Sequence, residues 1–141
     1  MKRSHLLVLA LLVVAVVGVV VAKQVAGHAR AATRSTKVLP GSAFGEALKS
    51  GRPTMAEFGL GTCEVCKKMA PLLEDAAKKY AGKANIVSVD LDDDPALGRY
   101  YQIRAMPTQV FFNAKGKEVG RHVGYLPSEM IAAGLAELGV K

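Results

Sequence analysis

The chain has 141 residues, half of them apolar, with two cysteines, no tryptophan and a formal charge of +7. That is about one domain's worth of sequence. The charge excludes less than it suggests: six of the 19 Lys and Arg precede Val38 while all 12 Asp and Glu follow it, so residues 38–141 carry 13 cations against 12 anions. A nucleic-acid domain would carry its basic stripe on the fold itself, so no nucleic-acid partner is expected.

Leu6 to Ala22 is an unbroken run of 17 Leu, Val, Ala and Gly residues, with Lys2 and Arg3 before it and Lys23 behind. A helix apolar on every face belongs in lipid or in a translocon. The run is longer than the ~7–15-residue core of a signal peptide and at the short end of a ~17–25-residue spanning helix. Residues 1–22 are expected to form a signal-anchor; the alternative is a signal peptide cleaved near Val20-Val21-Ala22 or Gly27-His28-Ala29. Lys2 and Arg3 favour a cytoplasmic amino terminus, and Lys23, Arg30, Arg34 and Lys37 pull the other way. An amino-terminal region of this form directs export, so the expected location is membrane-anchored with the domain on the periplasmic, extracytoplasmic side, or soluble there after cleavage. Residues 23–37, rich in Ala, Lys, Arg, Thr, Ser and Gln, read as a tether whose cations can meet anionic headgroups.

The remainder, 38–141, reads as one α/β domain. Leu39-Pro40-Gly41 punctuates its start, and Ser42 caps a short helix with Phe44, Ala47 and Leu48 on its apolar face. Pro53 to Phe58 is a strand, and Gly59 to Thr62 a tight connection into a helix from about Cys63 to Tyr80, with Pro71 expected to kink it. Asn85 to Leu91 alternates as a buried strand. Asp92-Asp93-Asp94-Pro95 starts a short helix to Tyr101. Thr108 to Phe112, the turn Asn113-Ala114-Lys115-Gly116 and Lys117 to Val123 make a hairpin, and Pro127-Ser128-Glu129 opens a last helix to about Leu138. The order α, β, α, β, α, β, β, α makes a small three-layer α/β domain.

The two cysteines, Cys63 and Cys66, fall where the first strand turns into the long helix. Free N–H groups and the helix dipole at that terminus stabilise a thiolate at Cys63, Lys67 and Lys68 add positive charge, and Glu64 opposes them. Cys66, one turn on, faces inward and can resolve a mixed disulfide. A structural disulfide across two residues closes too small a loop to constrain the unfolded chain much. A zinc site needs about four ligands, and His5, His28 and His122 lie far apart. A redox pair is the favoured reading, beside a copper or metal carrier using the cysteines with His122, and a structural role. No cofactor or resident metal is implied.

Glu57-Phe58-Gly59-Leu60-Gly61-Thr62-Cys63-Glu64-Val65-Cys66-Lys67-Lys68-Met69-Ala70-Pro71 resembles the active-site strand, turn and helix of thioredoxins. Asp90-Leu91-Asp92, Tyr101 to Thr108 with its Met106-Pro107-Thr108, Phe111-Phe112, Lys115-Gly116-Lys117 and Val123-Gly124 extend the resemblance in the family's order over nearly all of 38–141. A lone C-x-x-C says little; the pair with Met-Pro-Thr about 40 residues later says much more. The resemblance implies a thioredoxin fold with a mixed central sheet, preceded here by the apolar helix. It implies a Cys63–Cys66 redox disulfide and a cis Pro107 beside the cysteines, where the plain alternative is a proline at a strand start. Met106, Pro107, Thr108 and Gly124 would bind an extended substrate, and Glu57 would be the buried carboxylate that relays a proton to Cys66; its plain alternative is an exposed strand residue.

This chain departs from the family's usual Trp-Cys-Gly-Pro-Cys with Thr62-Cys63-Glu64-Val65-Cys66. Ser88 stands where the buried acid usually has a lysine partner, and the first strand of the full fold is short or missing before Ser42. The expected activity is reduction of protein disulfides through a mixed disulfide, with a membrane thiol-transfer protein supplying electrons; a disulfide-donating oxidase is the alternative. With no insertion between Cys66 and Pro107, the domain is expected to be monomeric.

Overall fold

A computed structural model describes residues 42–141. The expected apolar helix, the tether and the first residues of the domain lie outside that range. Among the described residues no helix is long and apolar enough to cross a membrane.

The elements appear in the expected order: α1 Ala43–Lys49, β1 Thr54–Gly59, α2 Glu64–Lys79, β2 Asn85–Asp90, α3 Pro95–Tyr100, β3 Thr108–Phe112, β4 Glu118–Val123 and α4 Ser128–Glu137. Local chemistry sets their ends. Ser42 Oγ accepts the Gly45 N–H at 3.0 Å and starts α1, satisfying one of the donors that a helix start leaves free. Asp94 Oδ1 does the same for Ala96 N–H at 3.1 Å, with Pro95 at the first helical position. In the β3–β4 turn, Asn113 Oδ1 accepts from Lys115 and Lys117 N–H, and Gly116 takes φ +70°, a value L side chains rarely adopt. α2 continues through Pro71 without interruption.

The sheet order among the described strands is β2-β1-β3-β4, with β1–β2 parallel and the other pairs antiparallel. One core lies on each face. Met55, Phe111, Met69, Leu73, Ile131 and Leu135 fill the space under α2 and α4. Phe44, Ala56, Phe58, Tyr101, Val110 and Phe112 fill the other, beside α1 and α3. The second is an aromatic cluster in which the Phe58 ring lies 5.5 Å from Phe44 edge-on and 5.3 Å from Tyr101. Two helical layers on a mixed sheet result. β1 and β3 are buried along their whole length.

β2 differs from its expectation as a buried strand. Ile86 and Val87 are half-buried and Ser88 is exposed, because β2 is the last described strand of the sheet and its outer side has no described neighbour. Its apolar residues still feed both cores, Ile86 one and Val87 and Val89 the other.

Gly134 shows how packing overrides propensity. Alanine favours a helix interior over glycine by about 1 kcal/mol, yet a Cβ at 134 would lie 2.6 Å from Phe111 Cε1 and 2.7 Å from Cζ. Such overpacking costs about 1–3 kcal/mol. Gly134→Ala is therefore expected to destabilise the protein in urea unfolding; a gain in stability would show that the Phe111 ring moves aside freely.

Candidate active site

β1 delivers the site. It ends at Gly59, and the turn beyond it is closed by Cys63 N–H donating to Leu60 O at 3.0 Å. Cys63 is the N-cap of α2, with extended backbone at φ −77° and ψ 109°. Its sulfur takes the role a serine or aspartate usually plays, accepting the Cys66 N–H at 3.2 Å. At a helix start, such an N–H with the helix dipole behind it stabilises a thiolate. Cys63 and Cys66 are joined as a disulfide, their Cα atoms 5.3 Å apart. Glu64 and Lys67, two of the charges expected to act on Cys63 in opposite directions, pair with each other at 2.7 Å in an exposed position.

Glu57 is buried, 4% exposed. Its side chain lies on the face beneath α2, and the close approach is at Gly59: a Cβ there would lie 2.8 Å from Glu57 Oε1 and 2.9 Å from Cys66 Sγ. The carboxyl and the second sulfur thus flank one glycine, and a side chain at 59 would displace one of them. Burial pushes the Glu57 carboxyl up to about 7; a hydrogen bond from Ser88 works against that, and the charge of Asp90 adds to it. Oε1 has no hydrogen-bond partner among the described residues. Ser88, in the usual lysine's place, is the registered partner of Glu57 on β2. A cavity of about 200 Å³ runs from the Glu57 carboxyl and Cys66 past Ser88 and Asp90.

The second motif arrives at the same end of the sheet. Thr108 pairs with Phe58 on one side and Val123 on the other, so the residues before β3 and after β4 flank the cysteine turn. The Met106–Pro107 peptide bond is cis. Gly124 N–H donates to Pro107 O at 2.8 Å, and Thr108 Oγ1 donates to Ala105 O at 2.6 Å. Pro107 and Thr108 are buried while Met106 is exposed. Gly124 has φ +101° and open space where a Cβ would stand, so its glycine answers a backbone demand. Every residue singled out in the sequence for thiol–disulfide exchange therefore lies at one end of the sheet or on β1 beneath it.

His122 does not join them. It lies on β4, its Nε2 3.2 Å from Tyr125 O, and among the described residues no three His, Cys, Asp or Glu side chains are grouped to hold a metal ion. The sequence reading gave no role to three residues of the site: Gly59, Asp90 and the buried Gln109, which is registered opposite Glu57 on β3. Strand register brings Asp90 and Gln109 to the carboxyl, while Gly59 follows Glu57 two residues on along β1.

The raised carboxyl has a sign for stability. Its ordinary value is 4.5 and its folded value about 7, so the buried carboxyl imposes no cost below the lower value and its full cost above the higher one. The difference corresponds to about 3 kcal/mol. Glu57→Gln should therefore gain stability relative to the native protein between pH 4 and pH 8.5 by about that amount, measured by urea unfolding of the oxidised protein. Parallel pH dependence of the two proteins would mean that Glu57 titrates normally.

The family model for thioredoxin matches residues 35–137. A thioredoxin of Alicyclobacillus acidocaldarius is 30% identical over 104 residues, covering 74% of this chain and 98% of its own length. A thioredoxin of Staphylococcus saprophyticus is 35% identical over 91 residues, 64% of this chain and 86% of its own. One from Staphylococcus aureus is 36% identical over 78 residues, 55% of this chain and 74% of its own. With the mixed sheet between helices and a C-x-x-C pair at the head of α2, these matches assign the chain: it belongs to the thioredoxin family and is a thiol–disulfide oxidoreductase.

Proposed function

We propose that the chain reduces protein disulfides outside the cytoplasmic membrane, held there by its N-terminal apolar segment. The Cys63 thiolate attacks one sulfur of a substrate disulfide lying along Met106, Pro107 and Gly124, forming a mixed disulfide and releasing the other substrate sulfur as a thiolate. Glu57 takes the proton from Cys66. The Cys66 thiolate then attacks Cys63 Sγ, closing the Cys63–Cys66 disulfide and releasing the second substrate thiolate. Two electrons pass to the substrate, and the dithiol is oxidised to a disulfide.

The observation that carries the exchange mechanism is the carboxyl beside the second sulfur, and the reductive direction is favoured by the likeness to thioredoxins. Reduction requires Cys66 to lose its proton before it attacks the mixed disulfide. In the oxidising direction the same carboxyl returns that proton to Cys66 as it leaves, so the relative potentials, and not the acid, set the direction of exchange. A carboxyl beside Cys66 that titrates at about 7 serves this transfer near neutral pH, and the cavity past Ser88 and Asp90 offers the proton a way in and out. An exported reductase must be reduced again after each turnover, so a membrane thiol-transfer protein is the partner that this reading requires. The location is supported by the 17-residue apolar run behind Lys2 and Arg3, which suits export of the domain attached to it.

Equilibration against glutathione mixtures with thiol trapping is expected to give a reduction potential of about −270 mV, the thioredoxin end of the scale. A value nearer to about −120 mV would overturn the reductive direction in favour of disulfide donation. In the same assay Cys66→Ser is expected to accumulate a mixed disulfide at Cys63, and Cys63→Ser none. For location, a membrane-impermeant maleimide applied to intact, mildly reduced cells should label Cys63; labelling only after lysis would place the domain inside.

A further inference from the structure

One row of side chains crosses all four described strands on the face beneath α2 and α4. Its registered members are Ser88 on β2, Glu57 on β1, Gln109 on β3 and His122 on β4. The middle two are the unusual ones. Gln109 is 0% exposed and Glu57 4%, in a sheet whose other residues on that face, Met55 and Phe111, are apolar core. Directly opposed residues of an antiparallel pair hold their Cβ atoms about 4.5–5.5 Å apart, within the reach of two long polar side chains.

The orientation of the Gln109 amide is set from α2, since its Nε2 donates to Met69 Sδ at 3.4 Å. That leaves Gln109 Oε1 without a hydrogen-bond partner among the described residues, and Glu57 Oε1 is in the same condition. Two buried acceptors then stand on neighbouring strands with no donor between them. Ionised, Glu57 offers no donor to either oxygen. Protonated, Glu57 supplies a donor on the strand next to Gln109, and leaving buried acceptors unsatisfied in the interior is costly.

The other groups facing the carboxyl act from different sides. Cys66 and Lys67 of α2 and Ser88 and Asp90 of β2 line the cavity at its outer flank, while His122 lies one strand beyond Gln109 and is engaged with Tyr125 O.

We propose that Gln109 is a positioning residue for Glu57: its amide oxygen accepts the Glu57 O–H and holds the carboxyl as the neutral acid beneath Cys66. The proposal rests on the reading of Glu57 as the base for Cys66. When Cys66 gives up its proton, the carboxylate becomes the acid and the pair closes across β1 and β3; when the acid releases that proton toward Ser88 and Asp90, the pair opens. A hydrogen bond to the neutral form favours that form, so Gln109 sets the pH at which the base is available.

The test titrates Glu57 directly in the full chain, by carbon NMR with the glutamate carboxyls labelled, in the native protein and in Gln109→Met. The substitution keeps the buried volume and removes the amide. The Glu57 midpoint is expected to fall by about half a pH unit or more, since only the neutral form loses a bond. An unchanged midpoint overturns the proposal, and a raised one overturns it by showing that the amide nitrogen faces the carboxylate. Gln109→Leu supplies the same comparison if the methionine variant fails to fold. A second measurement separates this from the underlying reading: the rate at which Cys66 resolves a preformed mixed disulfide, followed against pH in Glu57→Gln and in Glu57→Gln/Gln109→Met. If Gln109 acts through Glu57, the two profiles coincide and both lack the native step near neutrality. If Glu57→Gln keeps the native profile, Glu57 is not the base, and that failure is visible whatever Gln109 does to the Glu57 titration.

Discussion

A carboxyl group held in the middle of a sheet is the constraint around which this domain is organised. β1 is buried on both faces, and the side chain it turns toward α2 at position 57 is an acid. The core on that side of the sheet, with Met55, Phe111 and Leu135, is apolar. A carboxylate there is desolvated and would be more stable as a neutral acid. That penalty persists because the strand runs on to Gly59 and the cysteine turn, so the acid cannot be moved without moving the sulfurs.

The cost also explains the local architecture. Gly59 has no side chain because both Glu57 Oε1 and Cys66 Sγ approach within 3 Å of where its Cβ would be. Ser88 moderates the penalty with a hydrogen bond, and Asp90 worsens it with a charge. A lysine at position 88 would instead have stabilised the carboxylate by opposite charge, pulling its titration down. With a serine there the acid keeps a value about 7, where uptake and release of a proton are closely balanced near neutral pH.

The two cores make this arrangement rigid from both sides. The aromatic cluster of Phe44, Phe58, Tyr101 and Phe112 clamps the far face of β1 and β3, while α2 and α4 cover the near face. Rigid strands then present three connections at one end of the sheet: the cysteine turn after β1, the cis-proline segment before β3 and Gly124 after β4. The Gly124-to-Pro107 hydrogen bond ties the last two together. Reactive groups lie on the connections, and the precision with which they meet comes from the sheet.

Much of this could be read from the residues in order. The helix starts at Ser42 and Asp94, the Asn113–Gly116 turn and the alternation of the strands arise from local chemistry that acts within a few residues, so a linear reading finds them. The Cys63–Cys66 spacing at a strand-to-helix turn and the Met106-Pro107-Thr108 motif were legible for the same reason. What the linear reading could not supply was register. The half-exposure of β2 comes from its place at the end of the described sheet, which alternation alone does not reveal. The pairing of Glu57 with Ser88 on one side and Gln109 on the other joins residues 31 and 52 positions apart, through backbone hydrogen bonds that carry no record of side-chain identity. By itself the sequence determined the elements, their order and the chemistry of the cysteine pair, because those depend on neighbours in the chain. Only the tertiary structure decided that a buried acid lies beside the second sulfur and opposite a buried amide, because burial and register are properties of the assembled sheet.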